Sequence, residues 1–153
     1  MYALTSTAPA HEKNGEQAIG RSRGGLTTKI HVLVDALGNP VDAMLTPGQA
    51  HDLTCAKPLL DEADPEALIG DKAYDADLLI ESLNRRQITA VIPPKANRKA
   101  PRDCDFALYC ERNLVERFFN KLKHFRAIAT RYDKLARNFL AGVQLACAMI
   151  LLD

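Results

Sequence analysis

The sequence predicts an α/β protein, and three observations support this fold class. Short runs of β-branched or apolar residues predict strands, the first at 28–35. Longer amphipathic or apolar stretches predict helices, most clearly at 109–123 and 136–152. The two kinds of element alternate along the chain. With 153 residues, 47% hydrophobic and 25% charged, the chain has the composition of one soluble domain with a core of its own.

The elements of the first half are a hairpin and a helix. Residues 1–20 are small and polar, and they predict a flexible arm ahead of a domain at 21–153. Residues 28–35 predict a strand, and a Leu-Gly-Asn turn leads to a second strand at 41–45. A loop then leads to a helix expected over 52–63.

The next elements are short and buried in character. The apolar run at 67–70 predicts a strand that ends in Asp71. Because ligands collect outside the carboxyl ends of strands in open α/β sheets, Asp71 is well placed for chemistry. A helix at 78–86 and a strand at 89–92 follow, and 95–105 predicts a basic linker without periodicity.

The helix predicted at 109–123 carries four polar residues on one narrow face. At 100° per residue, Tyr109, Arg112, Glu116 and Lys123 fall within about 60° of one another. Apolar residues line the opposite face: Val115, Phe118, Leu122 and Phe125. An acid held among bases fits a metal ligand that works next to phosphate, although a surface helix joined by ion pairs would give the same pattern.

The net charge of +1 conceals an uneven distribution. Residues 1–94 carry a net charge of −5, whereas 95–137 carry +7, which is what a phosphate-facing surface needs. The RSRGG turn adds Arg21 and Arg23, which suggest anion binding; a flexible basic loop without a ligand is the alternative.

The remaining composition argues against several classes of protein. The four cysteines have no C-x-x-C spacing, so we expect neither a zinc site nor a disulfide framework. The amino terminus lacks the basic start and apolar run of a signal peptide. The apolar stretch 139–152 is too short to cross a bilayer and predicts a buried terminal helix. A cytoplasmic protein is therefore expected.

Two motifs resemble those of a known family. The spacing of Tyr109, Arg112, Glu116 and Lys123 resembles the signature around the last acid of DDE transposases from bacterial insertion sequences. The segment 71–75, DKAYD, is similar to the second-acid motif of the same enzymes. The order of elements resembles the later two-thirds of an RNase H-like fold, a mixed sheet flanked by helices.

The resemblance implies DNA cleavage and strand transfer by phosphoryl transfer with two Mg²⁺ or Mn²⁺ ions. Asp71 and Glu116 would be two of three catalytic acids that bind the metal. Arg112 and Lys123 would neutralise phosphate near the cut, and Tyr109 would pack or hydrogen-bond there.

The resemblance also implies partners. Further DNA contacts are expected at Arg21, Arg23, Lys95 and Arg98, with insertion-sequence ends and target DNA as ligands. Synapsis in this family implies a homodimer on two DNA ends. An upstream half from another reading frame is a further expected partner.

The third acid is missing from the expected place. In the family the first Asp lies on the first strand, and here Thr5 stands where that Asp should be. We therefore expect an RNase H-like fold truncated at its amino terminus, with the first strand missing or degraded, and weak or no activity. Three alternatives stay open: a non-catalytic DNA-binding remnant or regulator, a helical interaction module built on 136–152, and a resolvase-like nuclease.

Overall fold

The computed structural model describes residues 2–9, 17–23, 25–61 and 63–152, with 2–9 described as backbone. The strands of this part of the chain are β1 Tyr2–Pro9, β2 Gly20–Ser22, β3 Gly25–Val34, β4 Pro40–Pro47, β5 Ala67–Gly70 and β6 Thr89–Val91. Its α-helices are α1 Leu53–Asp61, α2 Asp77–Arg85, α3 Phe106–Tyr109, α4 Asn113–Lys123, α5 Arg126–Ala129 and α6 Ala136–Leu152. Two short 3₁₀ turns, Lys72–Tyr74 and Cys110–Arg112, complete the regular structure that is described.

The strands form one mixed sheet in which β1 occupies a central position. The order is β2-β3-β1-β5-β6, and β4 pairs with β3 on the same edge as β2. β1 runs antiparallel to β3 and parallel to β5, and β5 runs parallel to β6. The antiparallel hairpin and the parallel pair therefore meet at β1.

Helices cover both faces of this sheet. Because strand side chains alternate between faces, Val32 of β3 packs in one apolar cluster and Leu33 in another. The cluster around Val32 takes its helical residues from α4, α5 and α6, and the cluster around Leu33 takes them from α1 and α2. This three-layer α/β arrangement is compatible with an RNase H-like fold.

The predicted absence of a first strand is wrong. Residues 2–9, placed in a flexible arm by the sequence, form β1 and pair with strands on both sides. The prediction rested on the small, polar composition of residues 1–20, whereas β1 has hydrogen-bonding partners on both edges, and its threonines favour extended backbone. Of the rest of the predicted arm, residues 10–16 lie outside the described residues.

The predicted helices need two further corrections. The helix expected at 109–123 is interrupted by the 3₁₀ turn Cys110–Arg112, so that α3 and α4 are separate. The terminal helix α6 has the predicted extent but is buried on one face only, since Phe139 is 0% exposed and Leu152 is 88% exposed. The hairpin, α1, β5, α2 and β6 all form within a few residues of their predicted positions. Within the described residues, no helix has the length and apolar character that crossing a membrane requires.

Candidate active site

Asp71 is the first residue after β5, and a backbone N–H of the following turn holds its side chain in place. Its Oδ1 accepts a hydrogen bond from the backbone N–H of Ala73 at 2.7 Å, which caps the 3₁₀ turn Lys72–Tyr74. The residue is half-buried. A carboxylate is therefore held at the carboxyl end of a buried strand, as the sequence predicts.

Glu116 lies in the first turn of α4 on its exposed face. Its side chain is 54% exposed, and its Oε1 accepts a hydrogen bond from Nη2 of Arg112 at 2.6 Å. The Arg112 guanidinium in turn lies 5.6 Å from the centre of the Tyr109 ring, within cation–π range. Tyr109, Arg112 and Glu116 thus form one chain of contacts despite the break in the helix, whereas Lys123 is exposed at the end of α4.

The segments that carry the two acids are neighbours in the fold. The turn Cys110–Arg112 packs against β5, the strand that ends just before Asp71. Helix α4, which carries Glu116, packs against β1, and β1 pairs with β5. The apolar back of α4 holds it there, since Val115, Phe118 and Leu122 are all buried in the core. The sheet and α4 therefore present both carboxylates from adjoining elements.

Comparison with known proteins assigns the chain to a family. The family model described as "Transposase DDE domain" matches residues 5–151. The chain belongs to this transposase family. The match begins within β1, so the family domain includes a strand that the sequence patterns place outside it.

Two relatives from insertion sequences carry names of the same kind. A Brucella ovis protein, named as a candidate transposase for insertion sequence element IS6501, is 42% identical over 127 residues, which cover 82% of this chain and 98% of that protein. A Burkholderia cepacia protein, named likewise for IS402, is 30% identical over 161 residues, covering 97% of this chain and 73% of its own length. The family match and these relatives support a function in transposition.

A buried ion-pair network links the DKAYD motif to the linker that precedes α3. The side chain of Asp75 is 2% exposed, and it accepts hydrogen bonds from Arg98 Nε, Arg102 Nη1 and the backbone N–H of Lys95. Both arginines also contact the exposed Asp77. This network fastens the segment after Asp71 to residues 95–102.

The charges of the network decide the protonation state of Asp75. Burial alone would raise the pKa of this carboxyl group, but hydrogen bonds from Arg98 and Lys95 and the charges of Arg98 and Arg102 lower the pKa below its ordinary 3.8. Asp75 is therefore ionised at neutral pH. Neither Asp75 nor Asp77 caps α2, because Ala76 occupies the N-cap position and Asp77 is the first helical residue.

The network changes the view of two predicted DNA contacts. Arg98 directs Nε and Nη2 to carboxylates of its own chain, and Lys95 contributes its backbone N–H to Asp75. Arg21 and Arg23 are exposed, in β2 and in the turn after it, with no ion pair in the described part of the chain. DNA contact by these four residues stays a prediction.

Two further ionisable groups lie near the hairpin. His31 of β3 is 0% exposed and its Nε2 lies 2.7 Å from Thr46 Oγ1. Burial lowers the pKa of His31 to about 4, partly opposed by the charge of Asp52 and assisted by that of Lys29. The Asp52 carboxylate forms an ion pair with Lys29 Nζ at 2.8 Å, so its charge is already used within the fold. The adjacent His51 is exposed.

Sequence patterns predicted the two acids but gave no sign of the network. Asp75 lies 20 or more residues from its arginine partners, so no local spacing reveals the contact. The signal in the sequence is an acidic pair, Asp75 and Asp77, in a loop, matched by two arginines in a linker without helical or strand periodicity.

Proposed function

We propose that this chain is a DNA-transposition domain that carries two of three metal-binding acids, Asp71 and Glu116, and cleaves DNA feebly or not at all alone. The observation that supports this most directly is the packing of the turn Cys110–Arg112 against β5. Both elements of that contact lie within residues 5–151, which the transposase family model matches. The proposal requires that the α/β fold is RNase H-like, with the acids at the carboxyl edge of its sheet.

The candidate ligands fit Mg²⁺ or Mn²⁺ in kind but not in number. Both are carboxylates, the hard oxygen ligands that these ions prefer. Asp71 uses one oxygen for the backbone of Ala73, and Glu116 is exposed with one oxygen on Arg112. Among the described residues, no group of three or more His, Cys, Asp or Glu side chains could hold a metal. A pair of bound ions would activate an attacking oxygen and stabilise a leaving one, and two ligands do not complete such a site.

The basic residues beside Glu116 would hold the DNA backbone. The guanidinium of Arg112 has the fork geometry that recognises a phosphate, and Lys123 would add a point charge. The Arg112–Glu116 pair is exposed, so its disruption costs little, and Arg112 can turn to a phosphate when Glu116 takes another ligand. The contact with the Tyr109 ring would keep the guanidinium in place during this exchange.

The position of the missing acid follows from the backbone register. Ala3 of β1 pairs with Gly70 of β5, the residue before Asp71, and Leu4 and Thr5 follow Ala3 along β1. Neighbouring residues of a strand direct their side chains to opposite faces. We expect a carboxylate at one of these two positions to complete the site, and the other position is the matched control.

The test is nicking of supercoiled plasmid with Mn²⁺ or Mg²⁺. We expect little nicking by the unaltered chain and a metal-dependent gain in one of the variants Leu4→Asp and Thr5→Asp. The gain should disappear when Asp71→Ala or Glu116→Gln is added. Robust nicking by the unaltered chain that is abolished by Asp71→Ala, or no gain in either variant, would contradict the two-acid site.

A non-catalytic regulator of transposition is the second candidate, and the lack of a three-acid group in the described residues favours it. Both candidates bind DNA through phosphates, so the affinity of both should fall steeply with salt. Only the first gains metal-dependent nicking when the acid is restored. As parts of the same proposal, the chain would bind insertion-sequence ends and target DNA as a homodimer, with an upstream half from another reading frame as a further partner.

A further inference from the structure

Tyr132 is an exposed aromatic residue in the loop 130–135 between α5 and α6. It is among the most exposed large hydrophobic residues of the described chain, with 75% of its surface accessible. Within the described residues its ring makes no hydrogen bond and no contact with another ring or a cation. An exposed tyrosine ring offers a flat apolar face that can stack on another ring.

The loop that carries Tyr132 is fixed by the buried residue next to it. Arg131 is 1% exposed and donates hydrogen bonds to the carbonyl oxygens of Asp133, at 2.8 Å, and Lys134, at 3.1 Å. It also donates to Thr28 Oγ1 in β3, and its guanidinium lies 4.9 Å from the centre of the Phe139 ring. The backbone on both sides of Tyr132 is thus attached to the core. A loop whose backbone is held in advance loses less conformational entropy when a side chain on it binds a ligand.

The surroundings of Tyr132 are rich in unpaired positive charge. Residues 117–137 contain seven Lys or Arg and one acid, Asp133. Six of the seven are exposed: Arg117, Lys121, Lys123, Arg126, Lys134 and Arg137. None of these six makes an ion pair within the described part of the chain, in contrast to Arg98 and Arg102. They are carried by α4, α5, α6 and their connections, and these three helices pack on one another.

We propose that Tyr132 is a stacking platform for an unpaired DNA base, with Arg126, Lys134 and Arg137 holding the adjacent phosphates. An exposed ring among unpaired cations is the arrangement by which proteins bind single-stranded nucleic acid. A duplex keeps its bases stacked on each other and offers the ring no free base face, so phosphate binding alone would not require Tyr132. The inference rests on the proposed function for its ligand class, DNA, and adds a site that handles single-stranded segments.

The test measures binding in EDTA, so that it is independent of cleavage. Fluorescence anisotropy would compare a single-stranded oligothymidylate with a duplex of equal length for the unaltered chain, Tyr132→Leu and Tyr132→Phe. Loss of one base stack should weaken single-strand binding by about 5- to 100-fold in Tyr132→Leu. Duplex affinity should change by less than about twofold, and Tyr132→Phe should retain single-strand binding because it keeps the ring.

Charge is tested separately with Lys134→Gln. This variant should weaken the binding of both single-stranded and duplex DNA. It should also reduce the slope of log affinity against log salt by about one. Equal single-strand affinity for Tyr132→Leu and the unaltered chain, or parallel loss on both ligands, would overturn the stacking site while leaving the proposed function intact. No binding of either DNA by the unaltered chain would overturn both. Because Tyr132 is exposed, these variants should fold, and a urea titration checks this.

Discussion

Asp75 and Glu116 are both carboxylates bound to arginine, but their surroundings are opposite. The Asp75 side chain is 2% exposed and is bound by two arginines and a backbone N–H. The Glu116 side chain is 54% exposed and is bound by Arg112 alone. A carboxylate with all its oxygens occupied in the interior supports the fold. One with an open oxygen at the surface can exchange its partner for a ligand. Motif similarity does not distinguish these two roles, because it does not report how deeply a carboxylate is buried.

The largest expected effect on stability comes from replacing the buried carboxylate, Asp75. Asp75→Asn should lower the free energy of unfolding by about 3–5 kcal/mol, because it leaves two guanidinium groups without their buried partner. Urea unfolding followed by circular dichroism measures this loss. Asp77→Asn is the matched control, since Asp77 binds the same arginines from an exposed position and should cost far less. Equal losses of stability in the two variants would mean that burial of the carboxylate does not determine the size of the loss.

His31 extends the comparison to a buried group whose pKa is lowered mainly by burial, while the charges of Asp52 and Lys29 act in opposite directions. Its pKa is about 4 in the folded chain and 6.5 when unfolded, so the unfolded state takes up a proton first as the pH falls. Stability should therefore be complete above pH 6.5 and decrease by about 3 kcal/mol by pH 4. Urea unfolding at pH 7, 5.5 and 4 would show this loss.

The control for His31 is His31→Gln, which cannot titrate in this range. Other groups also take up protons towards pH 4, so the readout is the difference in pH dependence between the two chains. We expect the unaltered chain to lose more stability than His31→Gln on acidification. Parallel curves would show that His31 is not the titrating group.

The smallest expected effect is at the exposed side. Glu116→Gln should change the free energy of unfolding by only about 0.3–0.5 kcal/mol, the size of an exposed i,i+4 ion pair. The same variant should abolish any metal-dependent nicking gained by restoring the third acid. A loss of stability above about 1 kcal/mol in urea would instead make Glu116 part of the support of the fold.

Local patterns predicted much of the fold, because burial imposes them directly on the sequence. The apolar back of α4 is buried as predicted at Val115, Phe118 and Leu122. The hairpin and β5 were found from β-branched runs and turn residues. The strand β1 was missed, since its place depends on partners at β3 and β5 rather than on its own hydrophobicity.

The site divides in the same way. The identities of Asp71 and Glu116 come from motifs, and the contacts among Tyr109, Arg112 and Glu116 come from helical spacing. What no spacing could supply is the order of the strands, which brings β5 beside the turn Cys110–Arg112. The same limit hides the network of Asp75, because its partners come from a linker with no periodicity.

The central place of β1 has a consequence for how the chain is made. β1 is synthesised before both of its partners, and its β3 edge can close as soon as the hairpin emerges, but its other edge pairs with Ile69 and Gly70. At roughly 5–20 residues per second, about 1–7 seconds of translation separate the two events. For that interval the nascent chain exposes an open strand edge to other polypeptides, so a slow stretch of codons before β5 would favour aggregation of the newborn protein.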